Sequence, residues 1–135
     1  MSDVRLCIVR GCPGSGKSTF AKKLAAKYGL LHFENDAYLM QGDKYVWTPA
    51  AAKYAARQCF NDCMNALKSG KSCVVSNVFV TRRVVDKYAN AAKAIGVRVG
   101  VFRMTKDFGN VHNVPKSTLD SMKAGFEDYP NEVIV

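Results

Sequence analysis

The sequence predicts one α/β domain over residues 1–135, in which helices cover both faces of a short parallel sheet. Three observations predict this fold. Short apolar segments alternate with segments of helical periodicity, turn-forming residues separate them, and a glycine-rich loop pattern lies at the first junction. Strands that alternate with helices form parallel βαβ units. We therefore expect a three-layer α/β/α sandwich with a sheet of four or five strands.

The first two predicted strands flank the first predicted helix. Residues 4–9 are apolar and β-branched except for Arg5, which predicts a buried strand. Residues 17–28 repeat apolar residues at helical spacing with lysines on the other face, and Gly29 follows as a helix-ending glycine. Residues 30–33 form the second predicted strand, which closes at a polar turn.

The second helix has a start signal in the sequence. A polar, turn-rich stretch at residues 41–45 precedes Thr48 and Pro49, which suit the N-cap and the first helical position. This helix is predicted to run to Lys68, where a serine and a glycine end it. Residues 73–76 are apolar up to a final serine and form the third predicted strand.

The last third of the chain adds two helices and two strands to the prediction. Thr81 is predicted to cap a helix that reaches about residue 95, and residues 97–102 form the fourth strand. Pro115 opens a last helix that reaches about residue 128. Residues 132–135 are compatible with a short terminal strand.

The composition makes this domain strongly basic, with a formal charge of +9 and an isoelectric point near 9.5. Such charge attracts polyanions, and nucleic acid is the natural candidate partner, although phosphate sites alone would explain part of the excess. No apolar run is long enough to cross a bilayer, and the N-terminus has no signal-peptide layout. We therefore expect a cytoplasmic protein without a membrane partner, whose oligomeric state the sequence does not indicate.

The five cysteines are an odd number and include no CxxC pair. Cys59 and Cys63 share a predicted helix face but lack two further zinc ligands, since His32 and His112 lie far from them in sequence. We therefore expect reduced thiols that serve as small core residues. Cys12 differs from the others, because its loop position places it near bound phosphate.

Residues 11–18 fit the pattern G-x-x-x-x-G-K-[ST] of a phosphate-binding P-loop without a mismatch. The glycines allow a tight turn whose N–H groups approach phosphate oxygens, and the following helix points its positive end at the anion. Lys17 is placed to bridge the β- and γ-phosphates, and the Ser18 hydroxyl to ligate Mg²⁺. The pattern therefore predicts a site for ATP with Mg²⁺. The residues predicted to bind the nucleotide are Gly11, Cys12, Pro13, Gly14, Ser15, Gly16, Lys17, Ser18 and Thr19.

The string Gly-Cys-Pro-Gly-Ser-Gly-Lys-Ser-Thr at residues 11–19 resembles the kinase domain of phage-type polynucleotide kinases. The chain is also similar to the small ATP-binding domains named after NEDD4-binding protein 2, and the resemblance covers nearly its whole length. It implies the nucleotide-kinase-like type of P-loop NTPase fold. The P-loop is specific for phosphate binding but does not choose among kinases.

The resemblance also implies a catalytic base in the segment Asn-Asp-Ala-Tyr at residues 35–38. In the resembling kinases, an aspartate followed two residues on by an aromatic residue deprotonates the acceptor hydroxyl. A carboxylate at the end of a strand beside the P-loop suits that role, which makes Asp36 the candidate. Two alternatives remain open: Asp36 caps a short helix at Ala37, or Glu34, on the strand side of the turn, is the base.

Two later segments complete the predicted site. Ser76 and Asn77 end the third strand, where many P-loop proteins carry a Walker B carboxylate, and the resembling kinases have a similar Ser/Thr-Asn arrangement. They are expected to bind a metal-bound water or the acceptor, and the alternative for Asn77 is helix capping or turn formation. Arg82 and Arg83 open the third helix, where cations oppose the helix dipole, so they either face an anionic substrate or are solvated surface charges.

The region before the last helix departs from the resembling kinases. Polynucleotide kinases deliver arginines to the transferring phosphate from a lid helix, whereas this chain has Phe108 and Gly109 there. Stabilisation of charge must then come from cations elsewhere. The candidates are Lys17, Arg82, Arg83, Arg103, Lys106 and another subunit. Residues 110–115 resemble an Asn-x-His-Gly-Val-Pro signature of the same relatives, in which His112 has either a structural or a catalytic role.

Three hypotheses for function follow. The first is an ATP-dependent kinase for the 5′-hydroxyl of DNA or RNA, with Asp36 as base and with Lys17, Arg82 and Arg83 stabilising charge. The second is the same chemistry on a nucleoside, a nucleotide or another small metabolite. The third is an ATP-binding regulatory module with little transfer activity, which the missing lid arginines favour and the presence of Asp36 opposes.

Overall fold

The computed structural model of the protein describes residues 3–109 and 114–135. These described residues form seven strands, four α-helices and one 3₁₀ helix, and strands alternate with helices except where β4 directly follows β3. The strands are β1 (Arg5–Gly11), β2 (Leu31–Phe33), β3 (Met40–Gln41), β4 (Lys44–Tyr45), β5 (Cys73–Asn77), β6 (Arg98–Met104) and β7 (Val133–Ile134). The helices are α1 (Lys17–Tyr28), the 3₁₀ helix (Asn35–Leu39), α2 (Pro49–Lys68), α3 (Arg82–Ala94) and α4 (Lys116–Gly125).

Five of the strands form one parallel sheet in the order β2-β5-β1-β6-β7. The central strand β1 pairs Ile8 with Val75 of β5 on one side and with Val101 of β6 on the other. The predicted α/β fold with a parallel sheet of four or five strands is therefore confirmed, and the sheet has five strands. Because β1 is central, the loop at its carboxyl end lies in the middle of the sheet edge where ligands bind in such folds.

The strands β1 and β5 are mostly apolar because helices cover both faces of the sheet. On one face, Leu6 and Val75 are fully buried in a cluster with Cys59 of α2 and Val85 of α3. On the other face, a second cluster joins Val9 and Val74 to Ala21 of α1. Strands buried on both faces in this way are rich in β-branched residues rather than alternating in polarity.

The helix boundaries follow local chemistry that the sequence predicted correctly. Gly29 takes a left-handed conformation with φ of 66° and donates its N–H to the carbonyl of Ala25, which ends α1. The Thr48 side chain accepts a 3.0 Å hydrogen bond from the N–H of Ala51 at the start of α2. The Thr81 side chain caps α3 in the same way.

Two segments differ from their predictions. Residues 41–45, predicted as a polar turn, contain most of a hairpin in which β3 and β4 pair with each other and, among the described strands, with no other. The last helix ends at Gly125 rather than near residue 128. The reason is that the Phe126 ring turns inward between two guanidinium groups, 4.4 Å from Arg10 and 4.6 Å from Arg103.

The cysteines other than Cys12 pack as small core residues, as predicted, whereas Cys12 lies in the P-loop. All five carry free thiols, and Cys59, Cys63 and Cys73 are buried. In the described part of the chain, no group of three or more histidine, cysteine or acidic side chains is placed to hold a metal ion. The described helices also include none that is long and apolar enough to span a membrane.

Candidate functional site

The P-loop forms a tight turn between β1 and α1 because two of its glycines take left-handed conformations. Gly14 has φ of 82° and Gly16 has φ of 86°. Gly16 is the N-cap residue of α1 and brings no side chain, so the first N–H groups of the helix are directed at the space in front of the loop. This geometry is that of an anion-binding site.

Gly11 is required by space rather than by backbone conformation. Gly11 does not have a positive φ. A Cβ atom at this position would, however, lie 3.0 Å from the Met104 carbonyl oxygen and would collide with the Ser15 hydroxyl. The Gly11 N–H donates a 3.3 Å hydrogen bond to the Val78 carbonyl. The loop is thus seated between the ends of β5 and β6.

Lys17 begins α1 among the candidate acidic residues. Burial lowers the pKa of its ammonium group, and the negative charges of Asp36 and Glu34 act in the opposite direction. The structure therefore brings Lys17 and the two carboxylates on the turn after β2 into one electrostatic environment, although they are 17 or more residues apart in sequence.

Asp36 lies in the first turn of the 3₁₀ helix and is exposed to solvent. The N-cap of that helix is Glu34, which makes no side-chain capping hydrogen bond, so capping does not account for Asp36. The Tyr45 hydroxyl donates a 3.2 Å hydrogen bond to Asp36 Oδ1. Burial raises the pKa of Tyr45 to about 12, and the Asp36 charge adds to that shift. The hairpin thus packs a tyrosine against the candidate base.

A second set of polar side chains joins the ends of β2 and β5 by hydrogen bonds. The sequence pattern did not predict that these side chains contact one another. His32 Nε2 lies 2.7 Å from Ser76 Oγ, and the Ser76 hydroxyl donates to Glu34 Oε2 at 3.3 Å. The tautomer with the proton on Nε2 completes a chain of donors from His32 through Ser76 to Glu34. Burial lowers the pKa of His32, with Glu34 opposing and Lys22 reinforcing the shift.

Asn77 holds the turn that carries the candidate base. Its Oδ1 accepts a 2.7 Å hydrogen bond from the N–H of Asn35, and its Nδ2 contacts Cys59 Sγ at 3.9 Å in the core. The buried Asn77 amide therefore fixes the backbone next to Asp36. This contact agrees with the turn-forming alternative that the sequence left open.

Two of the predicted cations are engaged with the C-terminal segment. The Arg82 side chain donates from Nε to the Asp128 carbonyl at 2.6 Å, and its backbone N–H donates to Glu127 Oε1. Arg103 pairs with the carboxylates of Asp128 and Glu132. Arg83 is exposed beside Arg82 at the start of α3.

A short segment, residues 107–109, lies across the outside of the P-loop, and we call it the strap. The Phe108 N–H donates a 2.7 Å hydrogen bond to the Gly14 carbonyl. A Cβ atom on Gly16 would lie 2.9 Å from Phe108 Cε2, and one on Gly14 would collide with the Gly109 carbonyl oxygen. Both left-handed glycines of the loop are therefore covered by the strap. Phe108 itself is 72% exposed.

The strap also borders a cleft of about 220 Å³ between the P-loop, the end of β6 and α4. Asp107 orders the strap from two sides, since its Oδ1 accepts from the Gly109 N–H at 3.0 Å and its Oδ2 lies 3.7 Å from Lys123 Nζ. The residues lining the cleft are Cys12, Pro13, Ser15, Arg103, Met104, Thr105, Lys106, Asp107, Lys123 and Phe126.

The signature at residues 110–115 lies mostly outside the described residues, and so does His112. Pro115 is described and precedes α4 as its N-cap residue, in agreement with the predicted helix start. Between β6 and α4, residues 105–109 contain no helix.

Comparison with known proteins identifies related sequences. The AAA_33 family model, described as an AAA domain, matches residues 6–107. The chain is also 32% identical over 146 residues to the uncharacterized protein PM0531 of Pasteurella multocida (strain Pm70). That alignment covers 96% of this chain and 82% of the relative.

Three solved structures illustrate the similarity of fold. A gluconokinase from Sinorhizobium meliloti 1021 has a TM-score of 0.70 at 20% identity, with 100% of this chain and 83% of that chain covered. A sugar kinase from Janibacter sp. HTCC2649 has a TM-score of 0.65 at 21% identity, with 98% and 83% covered. A chain of the Pnkp1/Rnl/Hen1 RNA repair complex has a TM-score of 0.75 at 15% identity, with 93% of this chain but only 45% of that chain covered. At these identities, the likeness establishes the fold.

Proposed function

The chain belongs to AAA_33, a family of P-loop kinase domains, and from that premise we propose that it transfers the γ-phosphate of ATP to a hydroxyl group. One observation carries the proposal. The strand order brings Asp36, after β2, to the same sheet edge as the P-loop, where its charge acts on Lys17. A phosphate cradle faced by a carboxylate is the arrangement that phosphoryl transfer to a hydroxyl requires.

In this proposal, some residues bind the triphosphate and others take part in proton transfer. The P-loop N–H groups and the Lys17 ammonium bind the triphosphate and stabilise charge on the transferring phosphoryl group. Asp36 accepts the proton of the acceptor hydroxyl, and Tyr45 and the Asn77–Asn35 contact orient the turn that carries it. Arg82 and Arg83 remain candidates for contact with an anionic acceptor, once Arg82 leaves its bond to Asp128.

The donor set fits Mg²⁺, which binds hydroxyl, carboxylate and phosphate oxygens. Ser18 would hold the ion together with the phosphates. The Ser76 hydroxyl and the Glu34 carboxylate, bonded to each other at the end of β5, would hold its water ligands in place of a Walker B carboxylate. Bound Mg²⁺ supplies neutralisation of the charge that develops on the phosphate oxygens.

We favour the 5′-hydroxyl of a nucleic acid as the acceptor. The formal charge of +9 supports a polyanionic substrate, and so does the fold likeness to a chain of an RNA repair complex. A small acceptor is the second candidate, because a gluconokinase and a sugar kinase share the fold over the whole length of this chain or nearly so. The third candidate function is a module that binds the nucleotide but does not catalyse phosphoryl transfer.

The test is transfer of labelled γ-phosphate from ATP with Mg²⁺ to a 5′-hydroxyl oligonucleotide, run in parallel with nucleosides, nucleotides and sugars. Wild type is compared with Lys17→Ala and Asp36→Asn. We expect label on the oligonucleotide that both substitutions abolish. Label on a small acceptor alone would make the second candidate the function. ATP binding without transfer to any acceptor would refute the kinase proposal.

A further inference from the structure

We propose that the Phe108 ring is the surface on which the base of the bound nucleotide stacks. The inference rests on the proposed function, because it takes Asp36 to mark the acceptor side of the site. It assigns a base-binding role to the strap, whose Phe108 and Gly109 stand in the sequence where the resembling kinases carry lid arginines. The ligand class is a nucleoside triphosphate bound through both its phosphates and its aromatic base.

The direction of phosphoryl transfer places the base on the strap side of the P-loop. In an in-line displacement, the attacking hydroxyl and the leaving diphosphate lie on opposite sides of the transferred phosphorus. Asp36 follows β2, which lies to one side of β1, and the strap follows β6, which lies to the other side. If the acceptor approaches from Asp36, the nucleoside leaves the P-loop toward β6 and the strap.

Phe108 lies within reach of a nucleotide held by the loop. Its ring contacts Gly16, the residue immediately before Lys17, and its N–H is bonded to the Gly14 carbonyl at 2.7 Å. The position of the ring is therefore set by the backbone of the loop that binds the phosphates. A base joined to those phosphates through one ribose would therefore lie close to Phe108.

The exposure of Phe108 supports binding rather than packing. One edge of the ring covers Gly16, yet 72% of the residue remains accessible, which leaves an aromatic surface open to a ligand. Aromatic side chains that stack on bases offer such a surface in nucleotide-binding grooves, and they tolerate every base because each has a π-face. The adjacent Lys106 adds positive charge to the cleft beside the strap, where Lys123 is paired with Asp107.

The test compares Mg²⁺–ATP with Mg²⁺–tripolyphosphate, which carries the phosphates without a base, by isothermal titration calorimetry. Phe108→Ala should weaken ATP binding about tenfold and leave tripolyphosphate binding unchanged, since stacking of about this strength requires the base. Phe108→Tyr should restore ATP binding. Tyr28→Ala is the matched control, because Tyr28 is 62% exposed at the far end of α1.

The outcomes separate this inference from the proposed function. Equal weakening of both ligands by Phe108→Ala would show that the strap only braces the loop, and unchanged ATP binding would show that the base lies elsewhere. Either result overturns the inference while leaving transfer activity to be judged by Asp36→Asn. Conversely, a selective loss of ATP binding in Phe108→Ala would support base stacking even if the protein transferred no phosphate.

Discussion

Arg10 and Glu132, separated by 122 positions in sequence, meet at 2.9 Å with the Arg10 side chain fully buried and that of Glu132 6% exposed. The same guanidinium donates to the carbonyls of Phe79 and Val80, and it covers the Phe126 ring. The pair therefore joins the central strand, the loop after β5 and the C-terminal segment. It lies one residue from Gly11, so it supports the base of the P-loop.

Removing the charge of Glu132 should destabilise the fold strongly. Glu132→Gln leaves the buried Arg10 without its counter-charge, which should lower the free energy of unfolding by about 3 to 5 kcal/mol. Urea unfolding followed by fluorescence measures the change. Asp128→Asn is the control, because the Asp128 side chain is 81% exposed and its pair with Arg103 should contribute only about 0 to 1 kcal/mol. Equal losses would contradict the assigned role of the buried pair.

Asp36→Asn should separate turnover from nucleotide binding. The amide cannot accept the hydroxyl proton, so we expect at least about a 100-fold fall in kcat with the Kd for ATP unchanged. Steady-state transfer assays and calorimetry measure the two quantities. Asp43→Asn, in the turn of the hairpin, is the control and should change neither. A similar kcat for Asp36→Asn and wild type would exclude Asp36 as the base.

An alanine at Gly14 should cost more than an alanine at Gly42, although both glycines have positive φ. Gly42→Ala meets no atom within 4 Å and should cost about 1 to 2 kcal/mol from backbone strain alone. Gly14→Ala adds a collision with the Gly109 carbonyl and should also abolish ATP binding. Thermal unfolding and calorimetry test both effects. Identical behaviour of the two variants would mean that the strap does not press on the loop.

Alkaline pH should weaken the anchoring of the C-terminal segment. The Tyr129 hydroxyl donates a 2.6 Å hydrogen bond to Asp86 Oδ1, and burial, followed by that bond, raises the pKa of Tyr129 to about 12 from the usual value of about 10. The unfolded chain therefore loses this proton first. The stabilisation is complete below about pH 10 and is lost as the pH rises toward about 12.

Tyr129→Phe tests that dependence. The variant should be less stable than wild type at neutral pH, and its Tm should fall less steeply between about pH 10 and about pH 12. Tyr45, whose pKa is raised to the same value, contributes in the same window, so part of the slope should remain. Parallel Tm curves for the two proteins would rule out Tyr129 as a source of the pH dependence.

The sequence predicted elements whose signals are local. The caps at Thr48 and Thr81 and the glycine that ends α1 each depend on residues within one helical turn, and each was predicted correctly. The hairpin was missed because two-residue strands are too short to show a period of two.

The site required information that the sequence does not carry locally. His32, Glu34 and Ser76 meet because β2 and β5 pair in a register that sets His32 opposite Val74. The strap covers the P-loop because β6 ends beside β1, so residues 107–109 return to a loop formed almost a hundred positions earlier. The P-loop motif could be recognised because its residues are contiguous, whereas these contacts depend on strand order.

The separation of the hairpin from the five-stranded sheet allows the surroundings of Asp36 to vary independently of the phosphate-binding loop. Strands β3 and β4 form a separate two-stranded sheet, and the hairpin contacts the site through the hydrogen bond from Tyr45 to Asp36. At the base of the hairpin, the Val46 N–H donates a 2.8 Å hydrogen bond to the Leu39 carbonyl. Insertions in the turn at residues 42–43 can therefore lengthen the hairpin while β1 and α1, which carry the P-loop, keep their positions.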